Sequence, residues 1–274
     1  MKGKCILLLT FLSTFLSLSP TAVAAVDMSA VELQLGEAYS VEVETRLDNA
    51  PTVIQDNWDT YADVIKLTDT SYTNGIAYYS YENGIFLDLE EDANRDSKIS
   101  SKKKYANLFH EIGHSIAYHL SDTFTDVKGD CISNTYSSKK YHCTLTQMLK
   151  REEKTYFKKV RKTVKSDKKA WAKLNKELKA YKPEISYEAS DIWDGVSNGK
   201  AYAYCGHTIV NKDYWKSHSA GCEAFANMYE ASINNKQGTK LIKKYFPKSY
   251  EIFEEELKLG IVNSFNGGEE KYEK

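Results

Sequence analysis

Residues 102–120 combine an apolar stripe with an H-E-x-x-H motif. Large aliphatic residues recur there at four-residue spacing, which predicts an amphipathic helix with one buried face. The members of the stripe are Leu108, Ile112, Ile116 and Leu120. The motif is His110-Glu111-Ile112-Gly113-His114. Because positions i and i+4 share a helix face, the two imidazoles project together. The chain must therefore bury the stripe and leave the histidines facing a cleft.

This spacing of histidines is typical of a zinc site. Zinc lowers the pKa of a bound water to about 7. Glu111 lies next to His110, where its carboxylate can take a proton from that water and pass it to a leaving amine. The alternative is a surface helix with two unrelated histidines. The apolar stripe around the motif favours the metal site, with His110 and His114 as ligands.

A catalytic zinc site needs a third protein ligand and an open fourth position. Leu120 stands six residues after His114, so the extended motif with a third histidine is absent. We expect Glu223 to be the third ligand, because it lies off the apolar stripe of a predicted helix over 219–235. Asn227, one turn further on, is expected to steady a histidine. A plain exposed glutamate is the alternative for Glu223. The rival ligands are Asp191, His207 and Glu230.

The H-E-x-G-H motif with E-x-F-A far downstream resembles the anthrax lethal factor family of peptidases. The chain from Asp191 onward also resembles metallopeptidase-like proteins and domains from phage head-morphogenesis clusters of Gram-positive bacteria. The resemblance covers roughly residues 72–119 and 186–257. It implies a zincin-like fold, one zinc ion per chain and hydrolysis of peptide bonds. The downstream residues that carry it are Asp191-Ile192, Gly206-His207, Asp213-Tyr214-Trp215, Glu223-Ala224-Phe225-Ala226 and Tyr245-Phe246-Pro247.

The same resemblance places a tyrosine shortly before the third ligand, where its hydroxyl can donate to an oxyanion. Tyr214 stands nine residues before Glu223 and is the candidate for this role. His207 is the second candidate, and a structural role is the alternative for both. Relative to the family, residues 121–183 form a long insertion between the two ligand helices.

The first 25 residues have the composition of a secretory signal peptide. Lys2 and Lys4 precede an apolar run from Ile6 to Leu18, and small residues around Ala24 offer a cleavage site. An uncleaved anchor is the alternative, but the run is short for a bilayer span. We therefore expect a secreted, extracellular protein that makes no membrane contact beyond the signal peptide.

Four cysteines follow this segment, and an even number in an exported chain predicts disulfides. Short loops favour the pairs Cys131–Cys143 and Cys205–Cys222. Four free thiols are the alternative. A zinc site made of cysteines is disfavoured, because the chain has no C-x-x-C motif.

Charge is unevenly distributed along a chain of net charge −1. Residues 26–99 contain sixteen acidic and four basic side chains, whereas residues 150–182 contain fourteen basic and four acidic ones. A basic helix is predicted over 144–182. We interpret its charged face as solvated, and no nucleic-acid partner is expected because no recognition motif accompanies it. A basic protein that binds a polymer through this helix is the alternative, and its binding would depend steeply on salt.

The predicted elements indicate an α+β fold in one domain over residues 26–274. Its N-terminal α/β part, residues 26–99, contains β-like runs such as Tyr39 to Val43. It also contains a hairpin around Asn83-Gly84. The C-terminal part, residues 184–274, is mostly helical. The helices predicted there lie near Ser186 to Gly195, over 219–235, and at Thr239–Tyr245 and Lys248–Leu257 on either side of Pro247.

These features predict a secreted zinc metalloendopeptidase with a peptide or protein substrate. An extended peptide could pair with the edge strand expected within Ile76–Leu89 by β-augmentation. The alternative is a secreted binding or effector protein, derived from a peptidase, whose zinc site is structural or vestigial. Glu111 favours the enzyme, because zinc binding needs only the ligands.

Overall fold

The computed structural model describes most of the chain as helix, with one small three-stranded sheet, which agrees with the expected α+β class. The predicted signal peptide and Cys205 lie outside the described residues. Within the described residues, every helix is too short or too polar to pass through a bilayer. The described residues are 26–68, 77–95, 102–201, 203–204, 207 and 213–265.

Three helices open the fold: α1 (Ser29–Leu35), α2 (Glu37–Asp48) and α3 (Thr52–Tyr61). The predicted β-like run at Tyr39 to Val43 is wrong, because this segment lies within α2. The helix buries Ser40, Val43 and Leu47. This spacing of three and four residues is the helical period, and it prevails over the β preference of valine and tyrosine.

The sheet contains β1 (Leu67–Thr68), β2 (Tyr78–Ser80) and β3 (Gly84–Phe86), in the order β1-β3-β2. The predicted hairpin is confirmed, since β2 and β3 pair antiparallel, while β1 runs parallel to β3. Gly84 closes the turn with a φ of 89°, a conformation that favours glycine. Among the described strands, β2 is left at an edge of the sheet.

The motif helix is α5 (Ala106–Phe124), and α4 (Leu89–Ala93) supports its first turn. The buried carboxylate of Asp92, on α4, accepts hydrogen bonds from the backbone N–H of Leu108 at 2.9 Å and of Asn107 at 3.3 Å. These N–H groups have no partner within the helix, so Asp92 satisfies them from outside. The whole predicted apolar stripe of α5 is buried.

The basic segment forms two helices rather than the single helix predicted. After α6 (Ile132–Thr135) come α7 (Leu145–Val160) and α8 (Asp167–Lys179). The break arises because the side chain of Ser166 accepts a hydrogen bond from the backbone N–H of Lys169 and caps a new helix. Both helices bury apolar residues and pack against the rest of the domain.

The C-terminal part is helical, and α9 is longer than the short helix expected there. Of its helices, α11 packs against both α5 and α9 and lies at the centre of the core. The helices are α9 (Pro183–Ser197), α10 (Tyr214–Ser217), α11 (Ala220–Asn234), α12 (Lys236–Tyr245) and α13 (Pro247–Phe265).

Gly113 lets α5 and α11 approach until their backbones nearly touch. A Cβ atom at this position would lie 2.8 Å from the Cα of Ala226 and 3.1 Å from the Cβ of Tyr229. Both neighbours belong to α11, and a backbone atom cannot swing aside as a flexible side chain can. The glycine of the motif therefore sets the distance between the two helices.

We expect Gly113→Val to lower the free energy of unfolding by about 2 kcal/mol or more, because the added carbons overpack a backbone contact. The measurement is denaturant unfolding followed by circular dichroism. Thr123→Ala, on an exposed part of the same helix, is the control and should change stability by about 0.5 kcal/mol or less. Equal stability of the valine variant and the wild type would contradict the close helix approach.

Candidate metal centre

Three buried side chains converge between α5 and α11. One carboxylate oxygen of Glu223, Oε2, lies 3.3 Å from Nε2 of His110 and 3.5 Å from Nε2 of His114. The two imidazole rings are nearly perpendicular, at 83°. One nitrogen or oxygen from each residue lies within 4.8 Å of the others, so the three can hold a metal ion. Glu223 stands 109 positions after His114, and the packing of α11 on α5 brings them together.

The charges of this cluster fit a cation. Burial opposes ionisation of Glu223, but the nearby His114 and His110 outweigh it and hold the pKa of this carboxyl well below its usual range. Burial also opposes protonation of His110, yet the hydrogen bond to Glu223 and the nearby carboxylate of Glu230 raise its pKa to about 10. A proton on the imidazole thus balances the carboxylates in the metal-free protein, and a metal ion would take its place.

Glu230, and not Asn227, supports a histidine from behind. Its Oε2 lies 3.6 Å from Nδ1 of His110, the ring nitrogen that faces away from Glu223. The expectation for Asn227 is wrong, because its amide donates to Asp191 at 2.8 Å and to the backbone carbonyl of Glu223 at 2.8 Å. Asn227 therefore joins α11 to α9, while Glu230 can fix the orientation of the imidazole.

A cleft opens beside the three ligands, and the remaining predicted site residues lie in its wall. Glu111, Tyr214 and His207 all line it, and β2 contributes Tyr78 and Tyr79. Glu111 is buried on the same helix as the two histidines. The cleft thus gathers the three expected ligands and the three expected catalytic residues.

Tyr214 is held by ring stacking on both sides. Its hydroxyl donates a hydrogen bond to Oε1 of Glu223 at 2.9 Å, on the carboxylate oxygen that does not face the histidines. Its ring stacks on His207 at 4.3 Å and on His218 at 3.8 Å. Sequence reasoning gave His218 no role. Its spacing of four residues from Tyr214 is the one sequence signal that could have indicated the contact.

Two of the rival ligands, Asp191 and His207, lie beside this centre. His207 Nε2 is 3.4 Å from Oδ1 of Asp191. Together with Glu223 they form a second group whose ligand atoms lie within 4.8 Å of one another. Glu223 is common to both groups, and among the described residues only Glu223 lies within ion-pair distance of both motif histidines through the same oxygen.

The predicted disulfide Cys131–Cys143 is not formed, and both thiols are free and buried. The segment between them folds onto α13, where Tyr136 and Ser138 donate hydrogen bonds to Glu255 at 2.8 Å and 2.7 Å. Short separation along the chain therefore does not bring these two sulfurs together. The second predicted pair involves Cys205, outside the described residues, and its partner Cys222 is free.

No family model, curated protein or solved structure matches this chain. The chemistry of the cleft has to be inferred from its own residues.

We expect Glu223→Gln to lower the affinity for zinc by more than about 100-fold, because it removes the anionic ligand. Glu230→Gln should lower it by about 10–100-fold, as loss of a carboxylate behind a ligating histidine does. Glu32→Gln, on an exposed residue, is the control and should bind like the wild type. Competition with a chromogenic chelator measures all three. A larger loss in the Glu230 variant than in the Glu223 variant would contradict this ligand set.

Metal binding at pH 7 should release about one proton from His110. A pKa of about 10 means that the imidazole is protonated at this pH, and a metal ion binds only the neutral form. Affinity should therefore rise with pH between 6 and 8. Calorimetric titrations with zinc in two buffers of different ionisation enthalpy count the protons. His142→Asn, at an exposed residue whose φ of 50° asparagine tolerates, is the control. Zero protons released would contradict the assignment.

Proposed function

We propose that this protein is a secreted, zinc-dependent endopeptidase of the zincin type. The observation that carries the proposal is the position of the Glu223 carboxylate, 3.3 Å and 3.5 Å from the imidazole nitrogens of an H-E-x-x-H helix. Two imidazoles and one carboxylate are the protein ligands of many catalytic zinc sites. Export is inferred from the signal-like composition of residues 1–25.

The open side of the centre supports a catalytic rather than a structural ion. Structural zinc sites are closed by four protein ligands, whereas catalytic sites leave a position for water. Here the three ligands form part of the cleft wall. A bound zinc ion would supply a water of lowered pKa and polarise a carbonyl group.

Glu111 is the general base of the proposed reaction. It follows His110 on α5 and lines the cleft together with His110 and His114. It does not belong to the group of residues that can hold the metal ion. Its carboxylate would take a proton from the attacking water and deliver it to the nitrogen of the scissile bond.

Tyr214 would stabilise the developing oxyanion. Its hydroxyl is a donor that now points to Glu223 and can turn to a substrate oxygen in the same cleft. The stacked rings of His207 and His218 limit its movement. Donors held in place before the reaction are the ones that stabilise charge most effectively. His207 is the second possible donor, aligned by Asp191.

The edge strand β2 gives the substrate a place to bind. Tyr78 and Tyr79, which belong to β2, line the cleft, and β2 pairs on one side with β3. An extended peptide can add to the other side as a further strand. This arrangement favours an unfolded or flexible segment of a peptide or protein as substrate.

Glu111→Gln tests the proposal. We expect the variant to retain zinc and to lose about 10²–10⁴-fold in turnover, because the ligands remain and the base is gone. The substrate is a mixture of unstructured peptides of known sequence, and mass spectrometry detects new termini. The wild type treated with a chelator should be inactive and should recover with zinc, and Glu32→Gln is the active control.

The alternative function, a binding or effector protein with a structural or vestigial zinc site, makes a different prediction. Such a protein would leave the peptides intact in the wild type, while removal of zinc would still lower its melting temperature. If the zinc-loaded wild type yields no cleavage product, the peptidase proposal is contradicted and this alternative is favoured.

A further inference from the structure

We propose that a second divalent metal ion binds beside the first, held by Asp191, His207 and Glu223, so that the Glu223 carboxylate bridges the two ions. One nitrogen or oxygen atom from each of these three residues lies within 4.8 Å of the others. Asp191 belongs to α9 and Glu223 to α11, and His207 stands between them in the sequence. The inference rests on a first ion at His110, His114 and Glu223, as in the proposed function, but not on peptide cleavage.

The Glu223 carboxylate offers one oxygen to each ion. Oε2 lies 3.3 Å from Nε2 of His110 and 3.5 Å from Nε2 of His114, which assigns this oxygen to the first ion. Oε1 accepts a hydrogen bond from the Tyr214 hydroxyl at 2.9 Å, and the ring of Tyr214 stacks on His207 at 4.3 Å. Oε1 is therefore the oxygen for the second ion. Two-metal sites hold their ions about 3.5–4 Å apart.

Asp191 and His207 are already arranged as a pair of ligands. Oδ1 of the buried Asp191 lies 3.4 Å from Nε2 of His207. The other oxygen of Asp191, Oδ2, accepts a hydrogen bond from the Asn227 amide at 2.8 Å. The same amide donates to the backbone carbonyl of Glu223 at 2.8 Å. Asn227 thus holds the two residues that carry the carboxylate ligands, as outer partners do at metal sites.

One imidazole and two carboxylates suit a divalent ion of the first transition row. Imidazole nitrogen favours zinc and its neighbours, and carboxylate oxygen also binds manganese. Two of the ligands, His207 and Glu223, line the cleft, which gives the ion a path from solvent. Three protein ligands leave the remaining coordination positions to water.

The second ion should bind more weakly than the first. Two divalent ions that share one carboxylate repel each other. The Tyr214 hydroxyl also has to give up its hydrogen bond to Oε1 when the ion arrives. The concentration of free metal ion would therefore set the occupancy of this second site, while the first site stays filled.

The experiment equilibrates the mature chain with buffered free zinc over a range of concentrations and counts bound zinc by elemental analysis. We expect one zinc per chain at low free zinc and two at higher free zinc. His207→Phe keeps an aromatic ring against Tyr214 but removes the ligand nitrogen, so it should keep the first ion and lose the second. His218→Phe is the matched control, because His218 also stacks on Tyr214, at 3.8 Å, and should keep both ions.

Cobalt(II) in place of zinc reports whether the two ions share Glu223. Two cobalt ions about 3.5–4 Å apart couple magnetically, so the electron paramagnetic resonance signal of the one-cobalt protein should weaken when the second ion is added. A second ion at a distant histidine or thiol would instead add its own signal to the first.

Asp191→Asn is a second test if His207→Phe does not fold, because asparagine retains an oxygen for Asn227. It should lower the affinity for the second ion by at least about tenfold and leave the first ion in place.

One zinc per chain at every concentration would overturn the proposal. A second zinc that persists in His207→Phe, or cobalt signals that simply add, would show an adventitious ion only. None of these results would contradict the peptidase, which needs only the first ion. A chain that binds no zinc at all would contradict the proposed function itself.

Discussion

The backbone contact between α5 and α11 at Gly113 is the constraint on which the site depends. Two helices that pack through ordinary side chains lie 8–10 Å apart, and Gly113 removes the side chain that would keep these two at such a distance. The contact brings the first turn of α11 beneath the histidines of α5, so that one carboxylate oxygen reaches both imidazoles. The Asp92 carboxylate fixes the start of α5, and the bond from Asn227 to Asp191 holds α11 against α9. Each of these contacts serves the same geometry.

The centre gathers several buried carboxylates, and the positively charged side chain of Lys102 interacts with three of them, Glu230, Asp191 and Glu111. Glu223 and Glu230 flank a single imidazole, and Glu111 and Asp191 lie close by. Burial and the charge of Glu230 raise the pKa of Glu188 to about 8, so this carboxyl tends to keep its proton. Burying carboxylates is unfavourable unless cations or hydrogen bonds compensate them. A divalent cation at the three ligands would add to the compensation that Lys102 and a proton on His110 provide.

The sequence was most informative where the relevant distances are local. The i and i+4 positions of His110 and His114 follow from helix geometry alone, and the hairpin at Gly84 follows from a turn of two or three residues. The position of Glu223 could be anticipated because it lies off an apolar stripe. The supporting contact of Glu230 and the bond from Asn227 to Asp191 could not, because they depend on how whole helices pack. Short chain separation is a poor guide to cysteine pairing for the same reason. At Tyr39 to Val43 the β preference of the residues pointed the wrong way, because the helical period of Ser40, Val43 and Leu47 decides the structure there.

The shortness of β2 limits how the proposed enzyme can read a substrate. Three residues of strand span roughly 10 Å, so main-chain hydrogen bonds can hold only about three residues of a substrate. Main-chain pairing of this length selects for an extended conformation and for the direction of the chain, but it contributes little to sequence specificity. Discrimination between targets would then fall to the aromatic rings around the cleft, Tyr78, Tyr118 and Tyr214 among them. Whether a protein is cleaved would then depend more on the exposure of a flexible segment than on a long recognition sequence.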